Sequence, residues 1–200
     1  MTRSASQLTD DEATLLSLLV RVEAATAYQL SKVYAQSPVS NFGTSKGKIY
    51  PMIRRLKTAG LISASAIPGD ARNSELLRCT ARGRSAVSQW IQQIRPGHLL
   101  LEDPFRTMVQ SFDLLTKNEQ LAWIEDARSS LTAKLLELDQ YGATVDVPYK
   151  EYVHDNAVAS LETRLAWLER LRKAIAGGSA APKRRAPRLE SVKSRTADTT

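Results

Sequence analysis

The sequence contains few of the residues that disulfides and metal sites require. Its 200 residues include one cysteine, Cys79, and two histidines, His98 and His154. A single cysteine excludes an internal disulfide, and neither histidine has a ligand-spaced partner nearby, so we expect no metal and no cofactor. Cys79 lies in an apolar stretch without an adjacent base, which favours a buried structural thiol over a nucleophile.

Long apolar runs and phosphate-binding glycine loops are absent as well. No stretch reaches the length of a membrane-spanning helix, and the polar N-terminus lacks the basic-then-apolar pattern of a signal peptide. These absences, with the lone cysteine, predict a cytoplasmic protein with no membrane partner. Without a phosphate loop or an acid pair outside helix starts, we also expect that the chain is not an enzyme.

Charge is spread unevenly along the chain. Residues 1–95 hold 13 Lys and Arg against 6 Asp and Glu, residues 96–176 hold 9 against 13, and residues 177–200 hold 6 against 2. A basic first section, an acidic middle and a basic tail favour contact with nucleic acid in the first section and a different role in the second.

The first section, residues 8–95, has the signals of four helices and a hairpin. Thr9, Thr26 and Thr80 are candidate helix N-caps, the last for a helix through Ile94. Two strand-like runs, 61–67 and 75–79, flank the turn residues of 68–73. The order helix, helix, helix, hairpin, helix is that of a winged helix-turn-helix. The predicted fold class is therefore mostly α with a small β-hairpin.

The third helix, Thr44 to Ala59, is the candidate for entry into the major groove of DNA. A reading helix needs small or polar side chains at its start, where base edges come close, and cations at its margins, where phosphates lie. The first set is supplied by Thr44, Ser45, Lys46 and Lys48. The Tyr50 hydroxyl is placed to donate to a phosphate. The same pattern also fits an amphipathic helix with a solvated basic face.

The later cations of this helix, Arg54, Arg55 and Lys57, lie farther from its start and are expected to hold phosphates, with Arg54 the preferred candidate. Gly47 and Pro51 disturb a regular helix. Two interpretations remain open: a local kink at Gly47, or a helix that begins near Lys48 with Pro51 in its first turn.

The second section, residues 98–176, reads as a helical domain, with interruptions expected at Gly142 and Pro148. Its last helix carries apolar residues at alternating three-and-four spacing, skipping Arg172, and the preceding helix skips Arg128 in the same way. That spacing suits pairing with another helix, either within the chain or across a dimer. The candidate dimerisation residues are Leu161, Leu165, Leu168 and Ile175. Residues 177–200 are expected to form a disordered basic tail, either inert or in contact with phosphates.

Four segments together resemble the signature of PadR-type transcriptional regulators. They are Gly47 to Leu56 (GKIYPMIRRL), Ala59 to Ile62 (AGLI), Ala27 to Leu30 (AYQL) and Thr80 to Arg84 (TARGR). The match covers about residues 10–95, and the layout of the second section resembles the longer PadR subtype with dimerising C-terminal helices. One departure is the second wing strand, Leu76 to Cys79, where the family usually has an aromatic residue.

The resemblance implies a homodimeric regulator of double-stranded DNA, usually a repressor and occasionally an activator. It implies that Ser45, Lys46 and Tyr50 face DNA and that Arg72, on the wing, meets a phosphate or the minor groove. It also makes a small aromatic effector plausible. The candidate lining, for an aromatic cavity between the domains or at the dimer centre, comprises Trp90, Phe105, Phe112, Trp123, Tyr149, Tyr152 and Trp167. The alternative is a non-enzymatic adaptor that binds protein partners through its helical domain.

Overall fold

The computed structural model describes residues 8–38, 46–69, 74–99 and 103–178. It confirms a mostly helical fold with one antiparallel hairpin. The elements in chain order are α1 (Asp10–Val22), α2 (Ala27–Gln36), α3 (Lys46–Thr58), β1 (Ile62–Ala66), β2 (Glu75–Cys79), α4 (Ala81–Ile91), a 3₁₀ turn (Pro96–Leu99), α5 (Pro104–Gln110), a 3₁₀ turn (Phe112–Leu114), α6 (Lys117–Thr144) and α7 (Lys150–Ala176). In the described residues, no helix combines the length and the apolar character needed to cross a membrane.

Three threonines begin helices as the sequence predicts. The Thr9 and Thr26 hydroxyls accept from the backbone N–H groups of Glu12 and Gln29, whose side chains in turn accept from the threonine N–H groups. Thr80 accepts from the Gly83 N–H at 3.0 Å. Each cap satisfies N–H groups that a helix start leaves without a backbone partner.

Helix α3 ends in a turn that requires a positive φ, which glycine adopts more easily than other residues. Gly60 has φ +70°, its N–H donates to the Lys57 carbonyl, and the Leu61 N–H donates to the Leu56 carbonyl, both at 2.9 Å. This is a Schellman motif.

Pro51 lies inside the helix, more than one turn after Lys46, so the interpretation that the helix begins near Lys48 is wrong.

The hairpin forms the wing and is joined by a third short segment. Strand β1 pairs with β2 from Ile62 opposite Cys79 to Ala66 opposite Glu75. Ala25, between α1 and α2, exchanges two backbone hydrogen bonds with Leu77, at 3.1 and 2.9 Å. Leu77 is 1% exposed, so a leucine of β2 fills this part of the core.

The described residues divide into two compact units, and both long helices contribute to each. The first, here called the winged unit, comprises the described residues up to Asp103 together with Ala133–Ala159. The second, the helical unit, comprises Pro104–Thr132 and the described residues from Ser160 onward. The domain boundary predicted from the sequence, at residues 95–98, instead follows the order of the chain.

Two predicted features of the helices are wrong. Helix α4 ends at Ile91 rather than Ile94, and both side chains are largely exposed, at 66% and 80%. Near this end Trp90 Nε1 donates to Asp10 Oδ1 at 2.9 Å, and Arg95 Nη1 donates to the Leu8 carbonyl at 3.1 Å. These bonds tie the last turn of α4 and the segment after it to the start of α1.

The second wrong feature is the interruption at Gly142, which lies inside α6. A Cβ at this position would stand 2.9 Å from His154 Nδ1. The ring of His154 occupies that space, and its Nε2 lies 3.1 Å from Asp139 Oδ1. The glycine therefore serves close packing of α7 on α6 within the winged unit and does not break the helix.

Candidate nucleic-acid interface

One side of α3 is fixed in the core of the winged unit. Ile49, Met52, Ile53 and Leu56 are 0–6% exposed and pack in a cluster with leucines of α1 and α2 and with strand residues Ile62 and Leu77. Their three-and-four spacing follows the helical period of 3.6 residues. Burial of this side determines which residues of α3 are left at the surface.

The opposite side of α3 is exposed and carries the candidate contacts. Tyr50 is 51% exposed, and Pro51, Arg54 and Thr58 are exposed as well. At 3.6 residues per turn these four positions fall on one side of the helix. An aromatic hydroxyl and a guanidinium on one open face provide donors suited to phosphate oxygens or base edges.

The four cations of α3 whose side chains are described fall into two classes. Lys48 and Arg54 are exposed and have no ion-pair partner in the described part of the chain. Arg55 Nε donates to Glu12 Oε1 on α1 at 3.0 Å. Lys57 Nζ donates to both carboxylate oxygens of Glu75 on β2, at 2.7 and 2.6 Å. Two of the four cations thus link α3 to its neighbours.

Sequence reasoning missed these acidic partners and also two exposed residues of α2. Tyr28 is 66% exposed, and Lys32, one turn later, is exposed too. Helix α2 packs against α3, so both residues are candidates for additional phosphate contacts. The AYQL segment of the sequence contains Tyr28, but it does not predict that this side chain is exposed.

Three predicted contacts, Thr44, Ser45 and Arg72, lie outside the described residues. Lys46 begins α3, but its side chain is also outside the described set. The predicted basic tail lies outside the described residues from Ser179 onward.

The predicted dimerisation residues pack within the chain. Leu168 and Ile175 are 0% and 7% exposed in the core of the helical unit, and Leu161 and Leu165 are half-buried against it. Their partners in that core include Ile124, Ala127 and Leu131 of α6. In this single chain the apolar seam of α7 therefore packs against α6, which is the intramolecular interpretation of its spacing.

The two arginines that interrupt the apolar seams meet at one carboxylate. Glu169 Oε2 accepts from Arg128 Nη1 and from Arg172 Nε, both at 2.9 Å, and Oε1 accepts from Arg172 Nη2 at 2.8 Å. The bonds from Arg172, with the nearby positive charges of Arg128 and Lys173, lower the pKa of Glu169 to about 2. The network joins α6 to α7 at the skipped seam positions.

The described aromatic side chains of the second section lie in different surroundings. Trp123 makes edge-on contacts with Phe105 and Phe112, with ring centroids 5.2 and 5.1 Å apart, in the core of the helical unit. Tyr149 and Tyr152 are 79% and 74% exposed. Phe105, Phe112 and Trp123 therefore pack in a core, whereas Tyr149 and Tyr152 lie at the surface.

The winged unit does contain an open groove of about 420 Å³. It is lined by the end of α2 and by α6, through Ala35, Gln36, Ser37, Pro38, Lys134, Glu137, Gln140 and Tyr141. Lys134 and Glu137 pair at 2.7 Å.

In the described residues, no group of three or more His, Cys, Asp or Glu side chains is arranged to hold a metal ion.

Comparison with known proteins relates this architecture to one set of solved structures. The chain superposes on Bacillus subtilis PadR in complex with operator DNA with a TM-score of 0.69, covering 82% of this chain and 98% of that one at 19% identity. The same regulator in complex with p-coumaric acid gives a TM-score of 0.67 at 18% identity, with coverage of 82% and 98%.

A third similar structure is the PadR-like transcriptional regulator BC1756 from Bacillus cereus. Its TM-score is 0.67 at 19% identity, covering 84% of this chain and 99% of that one. No protein-family model matches the chain, and neither does any curated protein sequence. The chain thus has the fold of PadR-type regulators over nearly their whole length.

Proposed function

We propose that the chain is a transcriptional regulator of the PadR type that binds double-stranded DNA through α3. The observation that carries the proposal is the exposed side of α3, where Tyr50 and Arg54 share one face and Lys48 and Arg54 have no ion-pair partner among the described residues. The solved relative bound to operator DNA has the same fold. The proposal involves no catalysis, and its setting is the cytoplasm.

The proposed base contacts lie at the start of the reading helix. Thr44, Ser45, Lys46 and Lys48 would approach base edges, whereas Tyr50 and Arg54 would hold phosphates. Arg72, on the wing, would add a phosphate or minor-groove contact. Reading in this mode uses the first turn of the helix, as in other helix-turn-helix proteins.

The finer proposal is a homodimeric repressor on a two-fold operator. Two copies of α3 would enter major grooves about one helical turn apart. Leu161 and Leu165 are the two predicted dimerisation residues that are only partly buried in the single chain, so they are the ones left for a partner copy. Light scattering of the wild type and of Leu165→Asp tests this: we expect a dimer and a monomer, with circular dichroism confirming that the variant is helical.

A small aromatic effector would regulate the proposed DNA binding. One similar structure holds p-coumaric acid, and the groove between α2 and α6 in this chain offers Tyr141 for ring contact. Lys134 has three N–H donors, of which one is used by Glu137, so the others are offered to a carboxylate. We propose that a small aromatic acid binds there and lowers operator affinity by favouring one of two states. Titration with p-coumaric acid, comparing the wild type with Tyr141→Ala, tests the site.

The main experiment is selection of bound fragments from the source genome, followed by affinity measurements at several salt concentrations. The logarithm of affinity should fall with the logarithm of salt, with a slope of about −0.9 for each phosphate neutralised. Arg54→Ala should weaken binding and reduce the slope by about 0.9. Arg170→Ala is the matched control, since Arg170 is also an exposed arginine, on α7.

Failure to select DNA, together with a salt-insensitive protein partner, would favour the adaptor interpretation.

A further inference from the structure

Glu12 is shared between the start of α1 and the reading helix. Its Oε2 accepts from the Thr9 N–H at 2.9 Å, and its Oε1 accepts from Arg55 Nε at 3.0 Å. Burial acts to raise the pKa of this carboxyl, but the hydrogen bonds from Thr9 and Arg55 outweigh it, and the pKa lies below its ordinary value. At neutral pH Glu12 is therefore ionised, with a bond to each oxygen.

Arg55 uses only part of its guanidinium in this contact. The bond is made by Nε, and in the described part of the chain the two terminal Nη groups have no partner. The Glu12 side chain is 12% exposed while that of Arg55 is 60% exposed, so the outer part of the guanidinium reaches solvent. Lys48 lies two helical turns earlier on the same side of α3.

Lys57, on the other flank of α3, is held differently. Its ammonium donates to both oxygens of Glu75, which occupies two of its three N–H groups. Its side chain is 35% exposed. Lys57 is therefore a link between α3 and the wing, and it provides a matched comparison for Arg55 on the same helix.

We propose that Glu12 is a positioning residue that holds Arg55 so that its two Nη groups face a DNA phosphate. The inference rests on the proposed function and adds to it one phosphate contact and the group that orients it. A guanidinium fork matches two phosphate oxygens, and a side chain already ordered by Glu12 loses less conformational entropy when it binds. The anion is a backbone phosphate, so the contact carries no sequence information.

The experiment is a double-mutant cycle on the full chain, with a selected genomic fragment and a mixed-sequence duplex as probes. Arg55→Ala should weaken binding to both probes and reduce the salt slope by about 0.9. Glu12→Gln should also weaken binding, and the double variant should bind no more weakly than Arg55→Ala. Glutamine keeps the side-chain acceptor for the Thr9 N–H, and thermal unfolding verifies the fold.

The sign of the Glu12→Gln effect separates positioning from bulk electrostatics. Removal of a negative charge near DNA by itself strengthens binding, so a loss of affinity requires that Glu12 orient its partner. Arg55→Lys retains the charge but has no Nε to share, and it should abolish the coupling to Glu12. The control cycle, Lys57→Ala with Glu75→Gln, should leave the salt slope unchanged.

Two results overturn the inference while leaving the proposed function intact. One is a folded Glu12→Gln variant that binds DNA as tightly as the wild type or more tightly. The other is an Arg55→Ala variant with the wild-type salt slope. A wild-type chain without salt-dependent DNA binding overturns the proposed function and the inference together.

Discussion

The winged unit and the helical unit join their helices by different means. In the winged unit α4 lies so close to the end of α3 that a Cβ on Gly83 would overlap the Leu61 carbonyl oxygen. In the helical unit α6 and α7 meet through apolar side chains and the three-residue network of Glu169, Arg128 and Arg172. Close backbone approach fixes one arrangement, whereas packed side chains with a polar layer leave more room for adjustment.

The largest expected effect is at the centre of the helical core. Leu168 is 0% exposed, so Leu168→Ala leaves a cavity and should lower the free energy of unfolding by about 2–5 kcal/mol. Chemical denaturation measures the loss. Leu136→Ala is the control, because Leu136 is a leucine of α6 that is 61% exposed; a similar loss in both variants would contradict the proposed burial.

Gly83→Ala should have the next largest effect, and it tests the winged unit. The added methyl would meet the Leu61 carbonyl oxygen, a backbone atom, and would stand 2.7 Å from Cys79 Sγ. Because α4 must shift, we expect a loss of about 1–3 kcal/mol or more. Gly97→Ala is the control, since a Cβ there meets nothing within 4 Å. A stable Gly83→Ala variant would show that α4 can move freely on the α3 turn.

Features encoded by neighbours in sequence were predictable from the sequence. The caps at Thr9, Thr26 and Thr80 each act on a group three residues away, and the hairpin follows from its turn residues. The buried side of α3 follows from helical periodicity in the same way. Local chemistry therefore yielded the order of elements and the candidate reading helix.

Features that depend on tertiary partners were not predictable. Glu12 and Arg55 are 43 residues apart, Lys57 and Glu75 are 18 apart, and Arg128 and Glu169 are 41 apart. No periodic pattern relates such pairs. Sequence reasoning therefore grouped Arg54, Arg55 and Lys57 as similar cations, although two of them have acidic partners on other elements.

The same limit explains the arginines in the seams. In the sequence alone, Arg128 and Arg172 interrupt an apolar repeat and have no evident partner. In the structure Glu169 accepts from both, so the two interruptions form one polar layer between α6 and α7. A paired polar layer of this kind can specify the register of two helices at some expense in stability.

The smallest expected effect is on the polar layer of the helical unit and depends on pH. The folded-state pKa of Glu169, about 2, lies below the ordinary value of 4.5, so its contribution to stability is fully present above about pH 4.5. It is lost as pH falls from about 4.5 toward 2, because protonation removes the charge that Arg172 and Arg128 bind. Since these side chains are partly exposed, solvent screening keeps the contribution small.

Thermal unfolding of the wild type and Glu169→Gln across this pH range measures that contribution. The variant should unfold at a lower temperature than the wild type at pH 7, and the difference should shrink as the pH approaches 2. Glu162→Gln is the control, because Glu162 is an exposed acid of α7 with no ion pair in the described residues. A difference that persists at low pH would mean that Glu169 stabilises α6 against α7 by packing its side chain and not by its charge.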